Sequence, residues 1–113
     1  MTIEGIWTTQ IMGLFGWETT GVVMLEKGRA MDGGNNHYSV GSYESSGNKI
    51  HISLCVEYHG TPRTMFGASD KIMKVELEGT IRDGVIEGNA HRVDKPKQKI
   101  SYKLTRRADI PPI

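Results

Sequence analysis

The fold class follows from one stretch, Gly21–Tyr43, which reads GVVMLEKGRAMDGGNNHYSVGSY. Its apolar runs are separated by two breaks, Lys27-Gly28 and Asp32–Asn36, in which nearly every residue tolerates positive φ. Short apolar segments joined by such turns are typical of consecutive antiparallel strands. The stretch and its flanks therefore predict the second, third and fourth strands of a β-meander, over Thr19–Leu25, Arg29–Met31 and from about His37 to Glu44.

The same pattern continues on both sides of this stretch. The alternation is cleanest in Lys49–Tyr58, where every second residue from Ile50 is apolar. Asp83-Gly84 is a strong signal for a type I′ hairpin turn. The remaining strands are predicted over Ile3–Ile11, Lys71–Arg82, Val85–Val93 and Ile100–Arg106.

About eight short strands with one apolar face each, and no convincing helix, predict a single all-β domain over residues 1–113. Consecutive antiparallel strands close naturally into an eight-stranded up-and-down barrel, which removes both exposed edges. A two-sheet sandwich is the alternative, but the connections are short for its crossovers. Small residues, Ser42, Gly88 and Ala90, are expected to point inward and to leave room for a cavity or for aromatic side chains.

Composition argues against several classes of partner and compartment. The chain has 14 basic and 13 acidic residues and a formal charge of +1, which gives no electrostatic basis for binding nucleic acid or an anionic membrane. The basic segment Arg92–Lys99 is interpreted as a solvated loop. A single cysteine, Cys55, excludes an internal disulfide, and no signal peptide or membrane-spanning run is recognised. We expect a cytoplasmic protein.

An apolar loop interrupts the first two strands at Gly13–Trp17. Two interpretations are open: the loop folds over an open end of the barrel, which we favour, or it displays an apolar patch to a partner. Under the second interpretation Leu14, Phe15 and Trp17 are candidate partner-binding residues.

No constellation for catalysis, metal or cofactor binding is recognised in the sequence. His51 and Cys55 share a strand face but lie roughly 13 Å apart, at about 3.3 Å per residue. Glu76 and Glu78 alternate with basic residues, as on a solvated wall. Asp32–Asn36 lacks the spaced ligands of a calcium loop and is interpreted as a turn with left-handed backbone. We therefore predict a protein that is not an enzyme and has no cofactor.

Gly5-Ile6-Trp7, combined with a late arginine at Arg106 or Arg107, resembles the start and end of lipocalin and calycin barrels. The resemblance implies that Trp7 plugs one end and that the arginine lies over its indole ring. A hollow barrel of this kind would carry a small apolar ligand. The candidate cavity residues are Trp7 and three tyrosines that could supply polar tips: Tyr38, Tyr58 and Tyr102.

The chain also resembles the GrlR-like proteins, negative regulators of bacterial type III secretion. The likeness is carried by Gly5-Ile6-Trp7, Gly21-Val22-Val23 through Lys27-Gly28, Met31–Gly34 with Tyr38, Gly41-Ser42-Tyr43, and Leu104–Ile110. It implies a homodimeric lipocalin-like barrel that sequesters a protein such as a transcriptional activator. The acidic partner-binding motif of that family falls in the turn after the fourth strand, where this chain has one acid, Glu44. An outer apolar stripe such as Val22 and Met24, or Ile72, is the predicted dimer face.

Overall fold

A computed structural model describes residues 3–60 and 70–112. The described residues form a closed barrel of eight antiparallel strands in which each strand pairs with its sequence neighbours and the first pairs with the last. The strands are β1 (Gly5–Gly13), β2 (Gly16–Glu26), β3 (Arg29–Gly33), β4 (His37–Ser46), β5 (Lys49–Tyr58), β6 (Ile72–Arg82), β7 (Val85–Arg92) and β8 (Lys95–Ala108). The predicted all-β, up-and-down barrel is confirmed, and the sandwich alternative is wrong because β1 and β8 close the sheet.

The core lies inside the barrel and follows from the alternation along each strand. In β5, for example, Ile50, Ile52 and Val56 are at most 5% exposed, while His51, Ser53 and Cys55 on the other face are only partly buried. The strands β1, β2 and β8 contribute Trp7, Leu25 and Leu104, which are also nearly completely buried. Burying such a side chain stabilises the fold by roughly 1.5–3 kcal/mol, so the interior supplies most of the driving force for folding.

Two of the predicted turns have the backbone that their residues suggested. Lys27 and Gly28 have φ of 52° and 78°, and Asp83 and Gly84 have φ of 51° and 76°. Positive φ at both central residues defines the type I′ turn, whose twist matches that of the flanking strands. These turns set the registers of β2 with β3 and of β6 with β7.

Trp7 closes the end of the barrel at which β1 begins, which we call the lower end. Its side chain is fully buried, and Nε1 donates a hydrogen bond of 3.0 Å to the carbonyl oxygen of Ile3. Arg106 lies opposite Trp7 in the β1–β8 ladder and donates from Nη2 to the Glu4 carbonyl oxygen at 2.6 Å. A Cβ at Gly5 would lie 2.8 Å from this guanidinium, so the glycine is needed for the close approach.

The segment Arg92–Lys99 is a strand connection and not the predicted loop, although residues 93–99 are exposed to solvent as predicted. β7 ends at Arg92, and β8 begins at Lys95 and runs through Pro96. Arg92 is only 6% exposed and donates to Asp94 at 2.9 Å and to Asp70 at 2.6 Å, which holds the turn tightly. The register shifts between His91 and Arg92, so Pro96 falls where the β7–β8 ladder is interrupted and its missing N–H breaks no regular pairing.

The inward face of β4 also differs from the prediction. Ser42 is exposed, whereas His37 and Ser39 are buried. The strand begins at His37 with odd-numbered residues inside, and a one-residue difference in phase moves every side chain to the other face. The small inward residue of this strand is therefore Ser39.

Candidate functional site

The β1–β2 hairpin ends in two large apolar side chains that project from the barrel. The ladder continues to the pair Gly13 and Gly16, so that only Leu14 and Phe15 form the turn. Their exposed fractions are 96% and 98%. We call these residues, with their flanking neighbours Met12 and Trp17, the hairpin tip.

The favoured interpretation of this segment, a loop folded over the barrel end, is wrong. A two-residue turn on a fully paired hairpin has too little chain to bend back over the opening, and the exposure of Leu14 and Phe15 shows that it does not. The alternative, an apolar patch open to a partner, describes the observed geometry.

The base of the hairpin tip is half-buried and carries a positive charge. Met12 and Trp17 are a cross-strand pair, 43% and 40% exposed. Lys103 of β8 places Nζ 4.6 Å from the centroid of the Trp17 ring, within the range of a cation–π contact. The contact orients the indole ring against the barrel wall and leaves Leu14 and Phe15 as the outermost apolar groups.

Glu44, the other candidate partner-binding residue, lies elsewhere. It is exposed on β4 opposite His51, near the end of the strand that leads to Gly47. The hairpin tip belongs to the opposite end, which carries the connections after β1, β3 and β7 and which we call the upper end. The structure does not bring Glu44 and the tip into one surface.

The barrel contains an interior cavity of about 70 Å³. Tyr58 and Tyr102, both at most 2% exposed, line it as predicted, together with aliphatic side chains such as Leu104. Trp7 is buried at the lower end and is not part of the lining.

The prediction that Tyr38 lines the cavity is wrong. Tyr38 is an even-numbered residue of β4 and is 44% exposed on the outer wall, beside Glu57 of β5. A hydrogen bond with Glu57 and the charge of that carboxylate raise the pKa of Tyr38. Its hydroxyl group therefore interacts with the outer surface.

The Tyr102 hydroxyl group has no hydrogen-bond partner among the described residues. Tyr102 pairs with Gly88, and its hydroxyl oxygen lies 2.4 Å from where a Cβ of Gly79 would be. The phenol thus fills the space above two paired glycines, Gly79 and Gly88. Burial raises the pKa of Tyr102, with a smaller contribution from the charge of Glu78.

A buried polar cluster lies at the side of the cavity and was missed in the sequence. Asp32 and Ser39 are cross-strand partners of β3 and β4, and Ser39 Oγ donates to Asp32 Oδ2 at 2.9 Å. His37 Nε2 is 3.4 Å from the same oxygen, and its ring lies 5.8 Å from that of Tyr58. The alternation His37-x-Ser39 shortly after Asp32 could have indicated this cluster, but only if β4 had been predicted with its odd-numbered residues facing inward.

The glycines of Asp32–Asn36, beside this cluster, do not form the predicted turn with left-handed backbone. Among the described residues, positive φ occurs elsewhere and not in Asp32–Asn36, so the expected left-handed turn is wrong. A Cβ at Gly34 would lie 2.5 Å from the Thr20 carbonyl oxygen and 2.6 Å from the His37 ring. Gly34 therefore serves the close approach of backbone and imidazole.

Acidic and histidine side chains also meet on the outer wall. His51 lies between Glu76, at 3.3 Å, and Glu78, at 3.6 Å. Partial burial acts to raise the pKa of Glu76, but hydrogen bonds from Ser53 and His51 outweigh it and leave that pKa lowered. In the part of the chain that the structure describes, no group of three or more such side chains is arranged to hold a metal ion.

Comparison with known proteins adds no assignment, because no protein-family model and no curated protein matches the chain. Within residues 3–60 and 70–112 there is no helix with the length and apolarity needed to cross a membrane.

Proposed function

We propose that this protein is a non-catalytic binding protein that captures a partner protein with its hairpin tip. The observation that carries the proposal is the 96% and 98% exposure of Leu14 and Phe15. Two adjacent large apolar side chains at a turn, flanked by half-exposed Met12 and Trp17, form a contiguous apolar surface of the kind that marks interaction sites. Burying each of the two outermost side chains in a partner would contribute roughly 1.5–3 kcal/mol.

The proposed role is regulatory, by sequestration of a transcriptional activator in the bacterial cytoplasm. The likeness of Gly5-Ile6-Trp7 and of the Gly21–Tyr43 stretch to the GrlR-like proteins supports this role. The single cysteine, Cys55, agrees with a reducing compartment. Since Glu44 is remote from the tip, we assign partner contact to the tip and not to the turn after β4.

We further propose that the protein forms a homodimer through an outer apolar row on β2, β3 and β4. Met24, Met31 and Val40 are consecutive cross-strand partners, and Met24 and Val40 are 39% and 54% exposed. Val22, 45% exposed, extends the row toward the upper end. An isologous pair would bury the same residues of both copies.

A second candidate function is favoured by the interior cavity: carriage of a small apolar ligand. The volume of about 70 Å³ limits the ligand, because a cavity of about 150 Å³ is needed to hold benzene. This candidate therefore applies to molecules of a few heavy atoms, and partner capture remains the primary proposal.

Capture from the native cell with two paired variants tests the primary proposal. The tip variant Leu14→Ser/Phe15→Ser is expected to lose proteins that the unaltered bait recovers, and to stay dimeric in light scattering. The row variant Met24→Ser/Val40→Ser is expected to become monomeric and to keep those proteins. If the tip variant recovers the same proteins as the unaltered bait, the tip is not the binding surface.

A further inference from the structure

The interior cavity has a carboxylate and a hydroxyl group set between two valines in one cross-strand row. Val23, Asp32, Ser39 and Val56 follow one another across β2, β3, β4 and β5 and all face inward. The side chain of Asp32 is only 13% exposed, and both Asp32 and His37 line the cavity. A carboxylate is unfavourable in such a place unless something compensates its charge.

The contacts that Asp32 makes inside the barrel are those of an oriented anion. Ser39 Oγ donates to Oδ2 at 2.9 Å, and His37 Nε2 approaches the same atom at 3.4 Å. Neither of these contacts involves Oδ1. Ser39 is 1% exposed and fixes the carboxylate against the wall. The arrangement holds Asp32 in one orientation beside the cavity.

The cavity lining contains a single acidic side chain among the described residues. The titratable groups that line it are Asp32, His37, Tyr58 and Tyr102, and the described lining contains no lysine or arginine. The nearby buried cation, Arg92, is already paired with Asp70 and Asp94. The lining therefore offers one carboxylate, the hydrogen-bonding groups of His37 and two tyrosines, and a wall of aliphatic side chains. A small cation with an apolar body is complementary to that combination.

We propose that the interior cavity is a binding site for a short aliphatic amine, with Asp32 as the counter-charge of its ammonium group. The apolar body of the amine lies against side chains such as Leu104 and Ile52. The cavity volume of about 70 Å³ sets the size at about three or four heavy atoms, by comparison with about 150 Å³ for benzene. With at most about 1.5 kcal/mol per heavy atom, a ligand of that size binds with a Kd no lower than roughly 0.04–0.5 mM. This proposal is independent of the hairpin tip.

Methyl-detected NMR titrations with propylamine, its neutral isostere propanol and the anion propionate test the proposal. At neutral pH, propylamine is expected to shift the interior methyl groups of Val23, Ile52 and Leu104 in a saturable way and to leave the outer methyl group of Met24 unchanged. Propanol and propionate, which lack the positive charge, are expected to bind at least ten-fold more weakly. Absence of saturation by propylamine up to about 100 mM, or equal binding of propanol, overturns the proposal.

Two charge-removing variants separate the Asp32 contact from general electrostatics. Asp32→Asn keeps the size of the side chain and is expected to weaken propylamine binding at least ten-fold. Glu87→Gln, the same change at an exposed residue of β7, is expected to leave binding unchanged. Propylamine binding that survives in Asp32→Asn overturns the assignment of the counter-charge. If Asp32→Asn does not fold, the three probes on the unaltered protein still decide between a charged and a neutral ligand.

Discussion

Replacement of Gly88 by alanine is expected to destabilise the barrel far more than the same replacement at Gly33. Gly88 lies on β7 between Gly79 of β6 and Tyr102 of β8. A Cβ at this position would be 1.8 Å from the Glu78 carbonyl oxygen and 2.7 Å from the Gly79 Cα. These are backbone atoms, so the conflict cannot be relieved by rotating a side chain.

The loss of stability in Gly88→Ala follows from the backbone displacement that the added Cβ requires. β6 and β7 have to separate locally, which weakens ladder hydrogen bonds worth about 1 kcal/mol each. Overpacking of this kind typically costs about 1–3 kcal/mol by itself. We therefore expect Gly88→Ala to lower the free energy of unfolding by about 2–4 kcal/mol.

Gly33→Ala is the matched control. A Cβ at Gly33 would meet no atom within 4 Å, and its φ is not left-handed. Alanine there restricts the unfolded chain, so we expect no loss and a gain of up to about 1 kcal/mol. Urea unfolding at pH 7, with the same slope m for both variants, measures the difference. Equal midpoints for the two variants would refute the reasoning about the β6–β7 contact.

Three further predictions concern the titratable groups and the base of the hairpin tip. Tyr102→Phe removes a buried hydroxyl group without a described partner and is expected to stabilise the protein by about 1 kcal/mol in urea unfolding at pH 7. Because burial raises the pKa of Tyr102, the stability of the unaltered protein should also fall as the pH rises above 10.0. The stability of the variant should fall less over the same pH range. Glu76 has a lowered pKa, so it contributes stability above pH 4.5 that is lost as the pH falls through its folded-state pKa. The urea midpoint of Glu76→Gln should therefore change less between pH 7 and pH 3 than that of the unaltered protein. An equal change in both proteins would count against the His51 and Ser53 contacts. Lys103→Ala removes the cation over Trp17 and is expected to change the tryptophan fluorescence while leaving the free energy of unfolding within about 0.5 kcal/mol. An unchanged spectrum would contradict the contact.

Local sequence patterns were sufficient to predict most of the fold. The alternation in Lys49–Tyr58 and the turn pairs Lys27-Gly28 and Asp83-Gly84 each determine backbone geometry within a few residues. Barrel closure followed because eight such strands leave two unpaired edges unless they close.

The site was less predictable because it depends on the phase and length of particular strands. The position of Asp32 among glycine and asparagine residues suggested a turn, and only the register of β3 with β4 turns its side chain inward. Similarly, the direction of Leu14 and Phe15 depends on how far the β1–β2 ladder extends, and the residue types alone do not determine that length. The hydrophobic character of these residues was visible in the sequence, but their exposure was not.

The central claim, that the hairpin tip binds a partner protein, is tested most directly by calorimetric titration of the recovered partner. Truncation of a hot-spot residue costs about 2 kcal/mol or more; with Leu14 and Phe15 as the hot spots, Leu14→Ser/Phe15→Ser should weaken binding at least 100-fold. The row variant Met24→Ser/Val40→Ser should change the affinity per protomer less than three-fold. If the tip variant binds within three-fold of the unaltered protein, the account of the tip as the binding surface is contradicted.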